Sequence, residues 1–131
     1  VIIDIREAAR SLAFGSYTAV GFHLYRAIEA LIVKEYFVTL GVPNFEYNEN
    51  PNLGNYSKIL NGTHHKINIP IPVDIKVTSL LDHIREHYRN PVMHPEEFWD
   101  IDKANSAIGP AISLIDMMMQ DIQEIKKKVS I

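Results

Sequence analysis

The sequence contains no cysteine, which excludes disulfide bonds and thiolate ligands for a metal. It also lacks a glycine-rich phosphate loop, and no serine lies in a Gly-x-Ser-x-Gly nucleophile elbow. These absences remove the common P-loop and dinucleotide-binding folds and make acyl transfer a poor candidate chemistry. Because a chain without cysteine fits a reducing compartment, we expect a cytoplasmic protein.

Positive charge is not in excess. The chain has 13 lysine and arginine residues against 16 aspartate and glutamate residues, a formal net charge of −3. Proteins that coat nucleic acid non-specifically usually have a strongly basic surface, which this composition does not supply. Any anionic ligand must therefore be bound by a local cluster of residues.

The chain has the composition of an ordinary globular domain, with 131 residues of which 47% are hydrophobic and 22% are charged. Its apolar segments are too interrupted by polar residues to span a membrane. The first residue is Val1 rather than a methionine. We take this to predict a trimmed chain or part of a longer protein.

Apolar residues recur at the spacing of an α-helix in four stretches. In the second stretch, Phe22, Ile28, Leu31 and Phe37 are predicted to lie near one another. The segment 42–72 is rich in proline, glycine and asparagine, so it is predicted to be mostly loop with a short helix near 55–60. We expect an all-α, up-down bundle of four main helices with a long, loop-rich connection between the second and third. The four stretches are residues 4–14, 18–40, 74–90 and 102–125.

The main concentration of polar chemistry lies at the end of the third predicted helix, in residues 89–95, RNPVMHP. Arg89 carries a planar, permanently charged guanidinium that matches the oxygens of a phosphate. His94 can exchange a proton near neutral pH, which both the attack of an RNA 2′-hydroxyl and the departure of the leaving oxygen require. Prolines on both sides stiffen the turn that presents this histidine. The alternative is that Arg89 caps the helix while His94 packs in a loop.

A second motif, His-x-x-Glu-His, spans residues 83–87. In the inverted zinc-protease motif, two histidines one helical turn apart bind zinc and the glutamate acts as a base. A catalytic zinc also needs a third protein ligand, and the sequence offers only scattered candidates for it. The alternative is a solvated or partly buried helix face, and the Arg89/His94 scheme demands no metal or other cofactor.

Together these residues resemble the RNxxxH form of the HEPN (higher eukaryotes and prokaryotes nucleotide-binding) superfamily. Arg89, Asn90 and His94 match its Arg-x4-6-His motif, in which a polar residue often follows the arginine. The segments 8–14 (AARSLAF) and 19–29 (AVGFHLYRAIE) look like the first helical pair of bacterial members. The likeness covers most of the chain except 42–72, and it implies that residues 1–131 form a single HEPN-like helical domain.

The resemblance implies a metal-independent endoribonuclease that acts as a homodimer, with two Arg/His sets facing one cleft, and leaves a 2′,3′-cyclic phosphate on the RNA. It assigns acid/base catalysis to His94, phosphate stabilisation to Arg89 and an orienting hydrogen bond to Asn90. Many members serve in toxin–antitoxin or antiviral defence systems, which implies a cognate antitoxin or a further domain as a partner. The alternative from another class is a non-catalytic helical module that binds a nucleotide or a protein.

Three further side chains are candidates for contacts with the substrate: His23 and Arg26 on the second predicted helix, and His87 near the end of the third. For the first two, the alternative is a partly buried cluster in which His23, Arg26 and Glu29 satisfy one another.

A homodimer would complete the site, because one chain offers one Arg/His pair and a two-fold axis supplies a second. Met93, Phe98 and Trp99 are predicted to anchor such an interface, since exposed aromatic and methionine side chains favour interfaces. The alternative is that Phe98 and Trp99 cover the core of the bundle.

Overall fold

The computed structural model describes residues 1–43, 52–89 and 99–129, and all of the regular structure in these ranges is helical. The predicted all-α class is therefore confirmed, with five helices in the described ranges. Helix α2 (17–40) contains a π-helical turn at Ile32–Tyr36, and α4 (75–89) ends in another at Arg85–Arg89. The helices are α1 (Ile2–Ala13), α2 (Tyr17–Leu31 extended through Phe37–Leu40), α3 (Leu53–Leu60), α4 (Ile75–Ile84 extended to Arg89) and α5 (Ile101–Val129).

Helices α1 and α2 form an antiparallel pair. The chain reverses at Gly15, whose φ of 77° lies in the left-handed region that glycine adopts without steric cost. The reversal brings Asp4 near the start of α1 beside His23 on α2. Helix α2 ends at Gly41, whose φ of 75° is also left-handed. A left-handed glycine is a common end for a helix, and a proline often follows shortly after, as Pro43 does here.

The core lies where α2 packs against α5 and α5 packs against α4. Phe22 does not belong to it, although the apolar spacing groups this residue with Ile28, Leu31 and Phe37. It is 48% exposed, because at about 100° per residue it lies roughly 120° round the helix from Ile28. The largest fully buried side chains are Tyr36, Phe37, Leu24, Ile28, Ile32, Leu53, Ile59, Leu60, Leu81, Ile84, Leu114 and Met118.

The connection between α2 and α4 contains one helix, α3, in its described part. Asn52 caps this helix by accepting a hydrogen bond from the Asn55 backbone N–H at 2.8 Å. Tyr56 and Ile59 are buried, and Ile67 in the following irregular stretch is buried too. The connection therefore adds to the core and lays α3 against α4.

Asp74 starts α4, as predicted, and its side chain accepts a hydrogen bond from the Lys76 backbone N–H at 2.9 Å. Helix α5 is the longest helix and continues through Pro110. None of the helices in the described ranges is both long and apolar enough to cross a membrane.

Candidate functional site

The Arg/His motif begins at the last residue of α4. Arg89 closes the π-helical turn of that helix, while its side chain lies outside the described part of the structure. Asn90 and His94, which the sequence predicts as catalytic, also lie outside the described residues, as do Met93 and Phe98. The structure therefore describes the residues on either side of the motif: α4 precedes it and Trp99 follows it.

The π-helical turn at Arg85–Arg89 leads into the motif and packs against α2. It is also tied to the start of α5, because Lys103 Nζ donates a hydrogen bond to the backbone carbonyl of His87 at 3.1 Å. π-Helical turns are rare and often occur at functional sites. The backbone leading into the motif is thus held by two other helices.

Trp99 is the first described residue after the motif, and its side chain is only 6% exposed. Its backbone N–H donates to Thr18 Oγ1 at 3.0 Å, and its ring meets the Tyr25 ring edge to face at a centroid distance of 6.2 Å. The ring also covers Gly21 of the same helix. The prediction that Trp99 is an exposed interface anchor is wrong, because an apolar ring of this size gains more by covering the core of its own chain.

The described residues on either side of the segment 90–98 consequently both contact α2. Arg85–Arg89 contacts that helix on one side of the segment, and Trp99 contacts Thr18, Gly21 and Tyr25 on the other.

The structure places His23 and Arg26 with a carboxylate of α1. His23 Nδ1 lies 3.2 Å from Asp4 Oδ1 and Arg26 Nε lies 3.7 Å from the same oxygen. His23 follows Gly21 by two residues, so at about 100° per residue it lies on the opposite side of α2 from the Trp99 ring. The cluster of His23 and Arg26 therefore joins α1 to α2. Within this cluster, the Arg26 side chain remains largely exposed to solvent.

His83 and His87 are both exposed and lie side by side on α4, with ring centroids 4.4 Å apart. Two such imidazoles could bind a metal only with further ligands. Within residues 1–43, 52–89 and 99–129, no group of three or more histidine, aspartate or glutamate side chains is arranged to hold a metal ion. The His-x-x-Glu-His motif thus has two neighbouring imidazoles and no third ligand in that part of the chain.

A polar pocket that the sequence does not predict lies between α3 and α4. Its volume is about 510 Å³, and it is lined by Asn52, Gly54, Asn55, Ser57, Lys58, Asn61, Asp82 and Arg85. Ser57 Oγ donates a hydrogen bond to Asp82 Oδ1 at 2.5 Å across the two helices. The asparagines at 52, 55 and 61 are the visible signal in the sequence, but the lining residues on α4, Asp82 and Arg85, lie more than 20 positions further along the chain.

Comparison of the chain with models of protein families, with curated proteins and with solved structures gives no match.

Proposed function

We propose that the protein is a metal-independent endoribonuclease of the HEPN type. The observation that carries the proposal is the sequence motif of Arg89, Asn90 and His94 at the end of α4, and it is supported by the contacts of the described residues on either side, Arg85–Arg89 and Trp99, with α2. The motif is similar to that of HEPN nucleases, and its residue types suit a phosphodiester.

In the proposed reaction, the 2′-hydroxyl of a ribonucleotide loses its proton to a base and its oxygen attacks the adjacent phosphorus. The bond from phosphorus to the 5′-oxygen of the next nucleotide breaks, and that oxygen takes a proton from an acid. His94 supplies the acid/base function, and Arg89 stabilises the charge that builds up on the phosphate oxygens. Asn90 orients the phosphate or the histidine by a hydrogen bond. The products are a 2′,3′-cyclic phosphate and a 5′-hydroxyl.

The active form is proposed to be a two-fold symmetric homodimer, because one chain offers one His94 and the reaction uses both a base and an acid. Exposed apolar side chains on α5 offer a surface for the second copy. Ile101, Ile112 and Met119 are between 41% and 53% exposed and, at about 100° per residue, lie within roughly 20° of one another round the helix. A stripe of this kind favours association with another apolar surface.

We also propose that the four long helices, α1, α2, α4 and α5, run up and down in turn. The antiparallel contact of α1 with α2, and the packing of α5 on both α2 and α4, support this arrangement. A cytoplasmic role in a toxin–antitoxin or antiviral defence system, restrained by a cognate antitoxin or a further domain, follows from the resemblance.

The experiment is an RNA cleavage assay in EDTA with the wild-type protein, Arg89→Ala and His94→Ala. Each variant should lose cleavage by a factor of at least about 10², the usual contribution of a positioned acid or base. Arg10→Ala and His65→Ala remove exposed side chains of the same types from other parts of the surface and should keep wild-type activity. Wild-type protein that never cuts RNA, or a fully active His94→Ala variant, would refute the proposal.

Mixing the two inactive variants tests the composite site. If each site combines residues of both chains, Arg89→Ala mixed with His94→Ala should regain part of the lost activity, since every mixed dimer keeps one Arg89 and one His94 on opposite chains. A protein that is monomeric by light scattering and cuts RNA at full rate would contradict the dimer.

A second candidate function, a non-catalytic nucleotide-binding module, is favoured by the polar pocket between α3 and α4. It predicts binding of a nucleotide without cleavage of RNA. The cleavage assay separates the two functions, because only the nuclease produces new RNA ends.

A further inference from the structure

We propose that the pocket between α3 and α4 binds a nucleoside phosphate, either as one unit of an RNA strand or as a free mononucleotide. The pocket, lined by residues 52, 54, 55, 57, 58, 61, 82 and 85, is called the α3–α4 pocket below. Its volume of about 510 Å³ lies within the range of small-molecule sites.

The charge of the α3–α4 pocket favours an anion. Lys58 and Arg85 each contribute a positive charge and Asp82 contributes one negative charge, so the lining has a net charge of +1 in a chain whose net charge is −3. The Asp82 carboxylate already accepts a hydrogen bond from Ser57 and lies 3.8 Å from Arg85 Nε. Its charge is therefore partly compensated by the protein itself.

Arg85 provides the main phosphate-binding group. Its side chain is about one-third exposed, and its buried Nε makes no hydrogen bond to any residue that the structure describes. A Cβ atom placed on Gly54 would lie 3.9 Å from Arg85 Nη1, so the guanidinium lies close to the first turn of α3. An arginine beside the positive end of a helix dipole is a favourable arrangement for phosphate oxygens.

Amide groups provide donors for a sugar or a base. The Asn61 side-chain oxygen already accepts two hydrogen bonds from Thr63, from the backbone N–H at 3.2 Å and from the hydroxyl at 2.6 Å. This fixes the amide orientation and leaves the NH₂ group of this pocket-lining residue as its donor. Gly54 also lines the pocket, and a Cβ atom there would approach Asn52 Oδ1 at 3.2 Å.

The α3–α4 pocket lies close to the motif along the chain. Arg85 and Arg89 are four residues apart, the first and last residues of one π-helical turn. If the proposed ribonuclease function holds, on which this step rests, the pocket would bind a nucleotide of the substrate strand next to the one that is cleaved. The binding itself does not depend on cleavage.

The test is an NMR titration of the ¹⁵N-labelled protein with adenosine 5′-monophosphate, adenosine and a short oligoribonucleotide. The His94→Ala variant is used with the oligoribonucleotide so that the probe is not consumed. The Gly54 backbone amide and the Asn61 side-chain amide should shift saturably with the two phosphorylated probes and much less with adenosine. Tighter binding of the oligoribonucleotide than of the mononucleotide would assign the pocket to an RNA strand, and equal binding would assign it to the free nucleotide.

Variants on the two helices give the quantitative test. Arg85→Gln should weaken mononucleotide binding about tenfold, because it removes a charge-assisted interaction. Lys58→Gln, at an exposed position that will tolerate substitution, should cause a smaller loss, and Arg85→Lys should fall between wild type and Arg85→Gln. Arg10→Gln, an exposed arginine on α1, serves as the matched control and should bind as the wild type does.

Absence of saturable shifts, adenosine binding as tightly as its monophosphate, or unchanged binding by both Arg85→Gln and Lys58→Gln would overturn the inference. The outcome is independent of the nuclease proposal. Binding in the pocket without any RNA cleavage would refute only the nuclease, whereas cleavage without binding in the pocket would refute only this inference.

Discussion

The indole ring of Trp99 lies directly against the backbone of Gly21, so closely that a Cβ atom on Gly21 would lie 2.6 Å from Trp99 Cη2. No real Cβ contact is this short, so any larger residue at position 21 must displace the ring. Trp99 is the first described residue after the motif segment. The fit between Gly21 and Trp99 therefore links the interior of the protein to the proposed catalytic segment.

Gly21→Ala should displace Trp99, lower the free energy of unfolding by about 1–3 kcal/mol as overpacked cores do, and reduce RNA cleavage. Trp99 is the single tryptophan of the chain, so its fluorescence reports the change directly. The emission should move to longer wavelength as the ring becomes exposed. Unchanged emission and unchanged cleavage in this variant would show that the contact does not position the segment.

Gly109→Ala is the matched control for Gly21→Ala. Gly109 also lies within a helix, but a Cβ there would meet nothing within 4 Å. We expect this variant to be as stable as the wild type or more stable by up to about 1 kcal/mol, because alanine favours a helix over glycine. Its fluorescence and cleavage should not change.

Tyr36 and Asp121 connect α2 to α5 in the interior. The Tyr36 hydroxyl donates to Asp121 Oδ2 at 2.7 Å, and the Asp74 backbone N–H at the start of α4 donates to the same oxygen at 3.2 Å. Tyr36→Phe should lower the free energy of unfolding by about 1.5–3 kcal/mol, the range for hydrogen bonds to a charged group. Urea unfolding measures this loss, with Tyr17→Phe as the control. A Tyr36→Phe variant as stable as the wild type would show that the bond contributes nothing.

Tyr36 also makes the free energy of unfolding depend on pH in the alkaline range. Burial, and then the hydrogen bond to Asp121, raise the pKa of the Tyr36 phenol above its ordinary value. The stabilisation is therefore complete below the unfolded-state pKa of about 10 and is lost as the pH rises above it. The free energy of unfolding of the wild type should fall more steeply between neutral and strongly alkaline pH than that of Tyr36→Phe. Parallel curves for the two proteins would contradict the assignment.

His23 should act in stability more than in catalysis, because its partner is Asp4 and it lies on the side of α2 away from Trp99. We expect His23→Ala to lower the free energy of unfolding by about 0.5–1.5 kcal/mol, as the loss of one hydrogen bond usually does. Its kcat/KM for RNA should stay near the wild-type value. A large loss of kcat with unchanged stability would place His23 in the catalytic cleft.

His87 is exposed on the turn that leads into the motif, so it remains a candidate for contact with RNA. His87→Ala should raise KM and leave kcat nearly unchanged, whereas His83→Ala, one turn earlier, should have a smaller effect. Cleavage by all three proteins should survive EDTA. One equivalent of zinc in the purified protein, lost together with activity in His87→Ala, would instead favour the His-x-x-Glu-His motif.

The helices could be predicted from the sequence because each carries its own signals. The apolar spacing of α1, α2, α4 and α5 can be read within the residues of each helix. The cap at Asp74 and the stop at Gly41 are local signals of the same kind. The environments of single residues could not be predicted in this way. Trp99 is buried because of Thr18 and Gly21, about 80 positions earlier, and no local pattern reports such a contact.

The residues of the candidate site likewise include some that the sequence predicts and some that it does not. Arg89 and His94 stand out in the sequence because their chemistry and the flanking prolines are local features. The α3–α4 pocket is assembled from two segments joined across the Ser57 to Asp82 hydrogen bond, so its arginine looks like an ordinary helix residue in the sequence. The sequence likewise does not predict the π-helical turn at Arg85–Arg89, since no residue in it breaks an α-helix.

Cleavage through the 2′-hydroxyl is tested most directly with a DNA oligonucleotide that contains a single ribonucleotide, incubated with the wild-type protein in EDTA. If the 2′-hydroxyl is the nucleophile, cleavage should occur only on the 3′ side of that ribonucleotide and should leave a 2′,3′-cyclic phosphate and a 5′-hydroxyl, with no product from His94→Ala. Cleavage of an all-DNA strand, products with a 5′-phosphate, or an intact strand after incubation with folded protein would contradict the proposed ribonuclease function.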